Sequence, residues 1–140
     1  MIHALTDSCA DARRNLNHPA ATIPTVVIAD DDHSVGRALR RVVTTAGYAA
    51  AVFAGGTELL EACASVCPAC AVLDVHMPGL DGFEVAERLR AICPTVPLIL
   101  ITAHDTDATR QWAVAHSAIY LRKPFDHAAF TDALRQALCR

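Results

Sequence analysis

The chain has 140 residues, of which 53% are hydrophobic and 19% charged, and its 12 Lys and Arg against 15 Asp and Glu give a formal net charge of −3. That length suits one domain, large enough to bury a full core and too short for two of ordinary size. The aliphatic content excludes a disordered chain, no apolar run approaches the ~20 residues that span a bilayer, and the only local excess of base, Arg37, Arg40 and Arg41, falls short of the basic face of a nucleic-acid binder.

Residues 1–23 carry no sustained apolar period and scatter Asn15, Asn17, His18 and Pro19 among small polar side chains, which predicts a flexible leader followed by one folded domain over 24–140. The first residues lack a charged start followed by a long apolar stretch, so no secretory signal is expected and a cytoplasmic protein is. The six cysteines, Cys9, Cys63, Cys67, Cys70, Cys93 and Cys139, are therefore expected as reduced thiols.

From Thr25 onward, short apolar runs alternate with stretches of helical period. Residues 25–29 form the first run, which ends in Asp30-Asp31-Asp32. A helix follows over 34–46, opened by Ser34 or His33 and closed by Gly47. The second run, 49–53, leads to a helix over 56–64; the third, 71–75, contains Asp74 near its end and leads to a helix over 82–92 capped by Asp81. The fourth run, 98–102, ends in Thr102 and precedes a helix over 106–115. The fifth, 119–122, runs into Lys123-Pro124, after which Asp126 caps a helix over 126–139 whose Phe130, Leu134 and Leu138 form one stripe. Apolar runs of four or five residues suit strands buried on both faces of a parallel sheet. Five βα units predict a doubly wound α/β fold with a five-stranded parallel sheet between two helix layers, and ligands bound outside the carboxyl ends of the strands.

The polar residues that end the apolar runs should then meet at one edge. They form a coherent set: the carboxylates of Asp30, Asp31, Asp32 and Asp74, the Thr102 hydroxyl and the Lys123 ammonium. Carboxylates a few ångström apart repel unless a cation neutralises them, and Mg²⁺ with oxygen ligands is the natural partner. A metal-bound carboxylate can attack phosphorus and form an acyl phosphate while metal, Lys and Thr absorb charge on the phosphoryl oxygens. Every other base in the chain is Arg. A compact point-charge ammonium at a phosphoryl site gives a reason for the one Lys, because a guanidinium fork is wider.

Asp30-Asp31, the stretch Leu73-Asp74-Val75-His76-Met77-Pro78-Gly79-Leu80-Asp81-Gly82, the pair Thr102-Ala103 and Tyr120-Leu121-Arg122-Lys123-Pro124-Phe125 resemble the four signature segments of response-regulator receiver domains, and the Thr-Ala-His step is similar to FixJ-like regulators. The resemblance covers residues 25–140 and implies the flavodoxin-like (βα)5 receiver fold. It implies that Asp74 accepts a phosphoryl group from a sensor histidine kinase or phosphotransfer protein. By the same resemblance Mg²⁺, or Mn²⁺, is held by Asp31, Asp74 and the backbone carbonyl of His76, with Asp30 acting through water, and Thr102 and Lys123 hold the phosphoryl oxygens. Asp32 is then a surplus acid in the loop toward the first helix. Tyr120 aligns with the switch aromatic, and Lys123-Pro124 with a cis peptide bond. His116 stands where the family usually has a glycine before the fifth strand. A receiver is a phosphoacceptor signalling domain, not an enzyme on other substrates. Its output passes to a partner protein through the face of the fourth helix, fifth strand and fifth helix, a face through which receivers often dimerise. With residues ending at the fifth helix, no output domain is expected within the chain.

Several signals are weaker. His76 and His104 sit two residues beyond Asp74 and Thr102, where imidazoles can influence an attacking water and tune the lifetime of an acyl phosphate. Arg37, Arg40 and Arg41 flank the edge where receivers meet kinases, and Trp112 falls on the fourth helix, as a contact residue or in the core. Cys63, Cys67 and Cys70 have a spacing that a zinc or redox module could use, although small buried thiols are the simpler expectation. A further alternative is a Mg²⁺-dependent phosphatase with an aspartyl-phosphate intermediate, but such enzymes carry a second Asp two residues after the nucleophile, where this chain has His76.

Overall fold

The computed structural model describes residues 23–139; the expected leader, apart from Ile23, lies outside them. Ten elements alternate along the chain: β1 (Thr25–Ala29), α1 (His33–Thr45), β2 (Ala49–Phe53), α2 (Gly56–Ala62), β3 (Cys70–Asp74), α3 (Gly82–Ile92), β4 (Leu98–Thr102), α4 (Asp107–Ala115), β5 (Ile119–Arg122) and α5 (His127–Leu138). The strands form one parallel sheet in the order β2-β1-β3-β4-β5.

Alternation along each strand divides the core in two. Val26, Ile28, Val72, Ile99 and Ile101 pack with Leu39, Val42 and Val43 of α1 and Phe130, Ala133 and Leu134 of α5. Their neighbours Val27, Ala29, Ala71, Leu73, Leu98 and Leu100 face Leu59 of α2, Val85, Ala86 and Leu89 of α3, and Ala113 of α4. Residues of β1, β3 and β4 are buried on both faces, which is why these strands read as unbroken apolar runs. Because β1 has β2 on one side and β3 on the other, the order of winding reverses between β1 and β3, and a crevice opens above their carboxyl ends.

Several local expectations are corrected. The N-cap of α1 is Asp32, not Ser34 or His33: its Oδ1 accepts from the backbone N–H of Ser34 at 2.9 Å and of Val35 at 3.4 Å. The surplus acid thus satisfies the orphan donors of a helix start. Strand β3 ends at Asp74 rather than Val75, whose N–H still reaches the Ile101 carbonyl at 2.9 Å. The turn before β5 places Ser117, not His116, in the left-handed region, with φ 54 against −107 for His116. Helices α1 and α4 end in the same way. Gly47 and Ser117 donate to the carbonyls of Thr44 and Val114, and Tyr48 and Ala118 to those of Val43 and Ala113, the paired bonds of a Schellman motif.

The cysteines differ most from expectation. Cys67 and Cys93 form a disulfide, with Cα atoms 5.8 Å apart, and Cys139 is likewise disulfide-bonded, whereas Cys63 and Cys70 are free and buried. The loops that hold Cys67 and Cys93 lead into β3 and β4, which are neighbours in the sheet, so residues 26 apart in sequence meet at its amino end.

Candidate functional site

The crevice above β1 and β3 collects the side chains that end the strands. Asp30 follows β1 directly and is 2% exposed; Asp74, the last residue of β3, is 5% exposed; Thr102, the last of β4, is fully buried. Asp31 is exposed at the mouth. Carboxylate oxygens of Asp30, Asp31 and Asp74 lie within 4.8 Å of one another. Lys123, placed by the loop after β5, reaches across with Nζ 3.2 Å from Asp30 Oδ2 and 3.5 Å from Asp74 Oδ2. The Lys123-Pro124 bond is cis, as the resemblance implies. Two backbone N–H groups aim the buried carboxylates: Asp32 donates to Asp30 Oδ1 at 2.9 Å and His76 to Asp74 Oδ1 at 3.3 Å.

The start of α3 supports the acceptor strand closely. A Cβ on Gly82 would lie 2.6 Å from the Asp74 carbonyl oxygen and 2.8 Å from Val75 Cα, so only glycine lets the helix begin against the backbone of Asp74. Asp81 holds that start with a reciprocal capping box to Glu84, both bonds 2.9 Å.

Burial pushes the Asp74 carboxyl up to about 6, with the Asp30 charge adding to it and Lys123 and the His76 N–H offsetting part. Burial also opposes the charge on Lys123, but Asp30 and Asp74 outweigh it and hold its ammonium above the ordinary lysine range. One ammonium against three carboxylates leaves the ionised pocket with an excess of negative charge. Its donors are all oxygen, and a hard divalent cation fits such a set.

Thr102 and the histidines complete the rim. Thr102 Oγ1 accepts from the His104 N–H at 2.9 Å and donates to the His104 carbonyl at 3.2 Å, so the hydroxyl closes its own loop. The rings of His76 and His104, both exposed, meet edge to face with centroids 4.7 Å apart. Tyr120 is half-buried, and its hydroxyl donates to Asp105 Oδ1 at 2.7 Å rather than to any group of the acidic pocket. Asp105 escapes the sequence reading; its one signal is an acid three residues past Thr102, in the loop beside β5.

Other expected groups lie elsewhere. Arg37, Arg40 and Arg41 are all exposed on α1. Trp112 is half-buried, stacked on His116 at 3.8 Å and tilted against Phe83 at 4.8 Å. The Cys63, Cys67 and Cys70 set does not form a zinc centre, because Cys67 is committed to Cys93, and the acidic trio is the only group of three or more candidate ligands among the described residues. No helix among the described residues is long and apolar enough to cross a membrane.

The response regulator receiver domain model matches residues 26–135. The chain is similar to the DNA-binding transcriptional regulator NtrC of Escherichia coli (strain K12), 38% identical over 102 residues, 72% of this chain and 22% of that protein. It is similar to the response regulator MprA of Mycobacterium ulcerans (strain Agy99), 40% identical over 101 residues, 71% of this chain and 44% of that protein. It thus spans less than half the length of either relative. Among solved structures, a response regulator receiver protein from Burkholderia phymatum matches with a TM-score of 0.70 and 45% identity, over 82% of this chain and 94% of that one. A CheY-like receiver domain protein from Methanospirillum hungatei JF-1 shares the fold with a TM-score of 0.78 at 19% identity, over 84% of this chain and 94% of that one.

Proposed function

The chain belongs to the response regulator receiver domain family, and from that premise we propose that its unit over residues 24–140 accepts a phosphoryl group on Asp74 from a sensor histidine kinase or phosphotransfer protein. The observation that carries this reading is the buried pair Asp30 and Asp74 bridged by the Lys123 ammonium, with Asp31 beside them at the mouth of the crevice.

Asp74 is the nucleophile: a carboxylate oxygen forms the bond to phosphorus as the bond from phosphorus to the donor nitrogen breaks. Asp30, Asp31 and Asp74, with the His76 backbone carbonyl, would hold Mg²⁺ or Mn²⁺, which supplies charge neutralisation for the phosphoryl oxygens. Lys123 has its ammonium within 3.5 Å of Asp74 and can follow one phosphoryl oxygen without leaving the pocket. Thr102 can donate to another only by giving up its bond to the His104 carbonyl. That exchange ties the acceptor to the β4–α4 loop and, through it, to Tyr120 on β5, the switch residue. The α4, β5 and α5 face then carries the signal to an output protein or a second copy. The exposed His76 and His104 rings, in edge-to-face contact, tune how fast water reaches the acyl phosphate. A sensor kinase and its receiver meet in the cytoplasm, which is the location this reading implies.

Incubation with acetyl phosphate and Mg²⁺ followed by intact mass tests the proposal. The expected result is one phosphoryl adduct, lost in Asp74→Asn and on removal of Mg²⁺ with chelator. An adduct that persists in Asp74→Asn would overturn the assignment.

A further inference from the structure

The loop between β4 and α4 is tied at both ends. Near its start, Thr102 Oγ1 bonds both backbone polar groups of His104. One residue later, Asp105 turns its carboxylate the other way and takes the Tyr120 hydroxyl at 2.7 Å. Two cations converge on the same carboxylate: Arg110 Nε of α4 lies 3.4 Å from Oδ1 and Arg122 NH1 of β5 lies 3.5 Å from Oδ2. Three side chains from two elements, α4 and β5, therefore meet on a carboxylate whose side chain is only 21% exposed and which the sequence pattern does not single out.

We propose that Asp105 is a positioning residue that holds the Tyr120 ring toward α4 and thereby sets the resting population of the switch. This rests on Asp74 being the phosphoryl acceptor. Thr102 cannot donate to a phosphoryl oxygen without releasing the His104 carbonyl, one of its two ties to the loop that carries Asp105, and Tyr120 cannot swing away while Asp105 holds its hydroxyl. The bond leaves its mark on both partners: the Asp105 carboxyl lies below its usual range, with the Tyr120 hydrogen bond the largest cause, and burial together with Asp105 pushes the Tyr120 hydroxyl up to about 12. A contact made only in the resting state biases the equilibrium by its full differential strength. For a hydrogen bond to a charged group near the surface, that is roughly a tenfold change in the ratio of the two states.

The chain has two tyrosines, Tyr48 and Tyr120, so 3-fluorotyrosine labelling gives two ¹⁹F resonances, which Tyr48→Phe assigns. In Asp105→Ala, with no phosphoryl donor present, the Tyr120 resonance is expected to move toward the position it takes in the wild type with beryllium fluoride and Mg²⁺, while Tyr48 stays in place. Phosphorylation by acetyl phosphate is expected to speed up roughly tenfold, the ratio set by the lost bond. On a Tyr120→Phe background, Asp105→Ala should add nothing, because the bond is already gone. A Tyr120 resonance unmoved by Asp105→Ala, or a rate gain that survives in full on the Tyr120→Phe background, would overturn the proposal. If the wild type takes no phosphoryl group at all, the acceptor assignment fails instead, and the Tyr120 resonance of donor-free Asp105→Ala, compared with that of the donor-free wild type, still decides whether the carboxylate holds the ring.

Discussion

The two ends of the sheet are built from the same five strands and follow opposite physical rules. At the carboxyl end, Asp30 and Asp74 are buried within reach of one another and share one ammonium, an arrangement that raises the free energy of the ionised, cation-free fold. At the amino end, the loops are closed by covalent and backbone bonds. Cys67 is joined to Cys93, and Arg90 reaches from α3 to the carbonyls of Val96 at 3.0 Å and His116 at 2.6 Å. An apolar cleft of about 470 Å³ beside the start of β1, lined by Phe53, Cys63, Val66 and Cys67 among others, continues this end. One end carries buried charge at a cost in stability, and the other holds the frame that tolerates it. Substitutions should therefore divide cleanly: at the carboxyl end they change reactivity, and at the amino end they change stability alone.

The largest expected effect is at Asp74, the proposed acceptor. Asp74→Asn should lose phosphorylation completely by intact mass and yet melt at a higher temperature than the wild type in the absence of divalent cations. A variant that loses both activity and stability would break the contrast at its most exposed point. Next in size is the disulfide. Closing a loop of 26 residues typically contributes about 3 kcal/mol, so Cys67→Ser should lower the unfolding free energy extrapolated from urea melts by that much while leaving the acetyl phosphate rate within about twofold of wild type. A large rate change would show that the two ends communicate.

The pH dependence sharpens the same division. Asp74 titrates at about 6 in the fold against an ordinary 3.8. A raised folded value means that the ionised form is the penalised one. The stabilising contribution of the protonated acid is complete below about pH 4 and is lost as pH rises through 6. Two units at ~1.4 kcal/mol each set a ceiling, and water entering past exposed Asp31 reduces the expected loss to about 1–2 kcal/mol. Melts of the cation-free wild type should fall between pH 4 and 7 and those of Asp74→Asn should not. Mg²⁺ should restore the wild type by mass action, because it binds only the folded trio.

How much of this was legible depended on whether a feature is local. Strands β1, β2, β4 and β5 fall where the apolar runs lie, since burial on both faces of a sheet writes a continuous signal. Asp30, Asp31, Asp74, Thr102 and Lys123 stand out as polar residues at the ends of such runs. The features that were missed are relations between distant segments or single turns. Asp105 matters through Tyr120, 15 residues away on another element, and Cys67 through Cys93 because β3 and β4 are neighbours. Val75 is as buried as a strand residue although the strand ends before it. Three consecutive aspartates offer no clue that Asp32 caps α1 while Asp30 turns inward.

The smallest expected effect comes from the two matched helix ends. Gly47 and Ser117 occupy equivalent places in their Schellman motifs, with φ 98 and φ 54. The left-handed region open to residues with a Cβ is narrow, centred near +57°, so Ser117 fits it at a cost of about 1–2 kcal/mol and Gly47 lies outside it. Ser117→Gly should relieve that cost, less the extra chain entropy glycine loses on folding, for a net gain of about 0.5 kcal/mol. Gly47→Ser should lose about 1 kcal/mol or more. Urea midpoints at unchanged slope would measure both, and phosphorylation should not respond to either, because both turns close the amino end of the sheet, away from the acidic crevice. If Ser117→Gly destabilised the protein instead, the serine would be held by something other than the turn, and the Arg90 contact to the neighbouring His116 carbonyl would be the place to look.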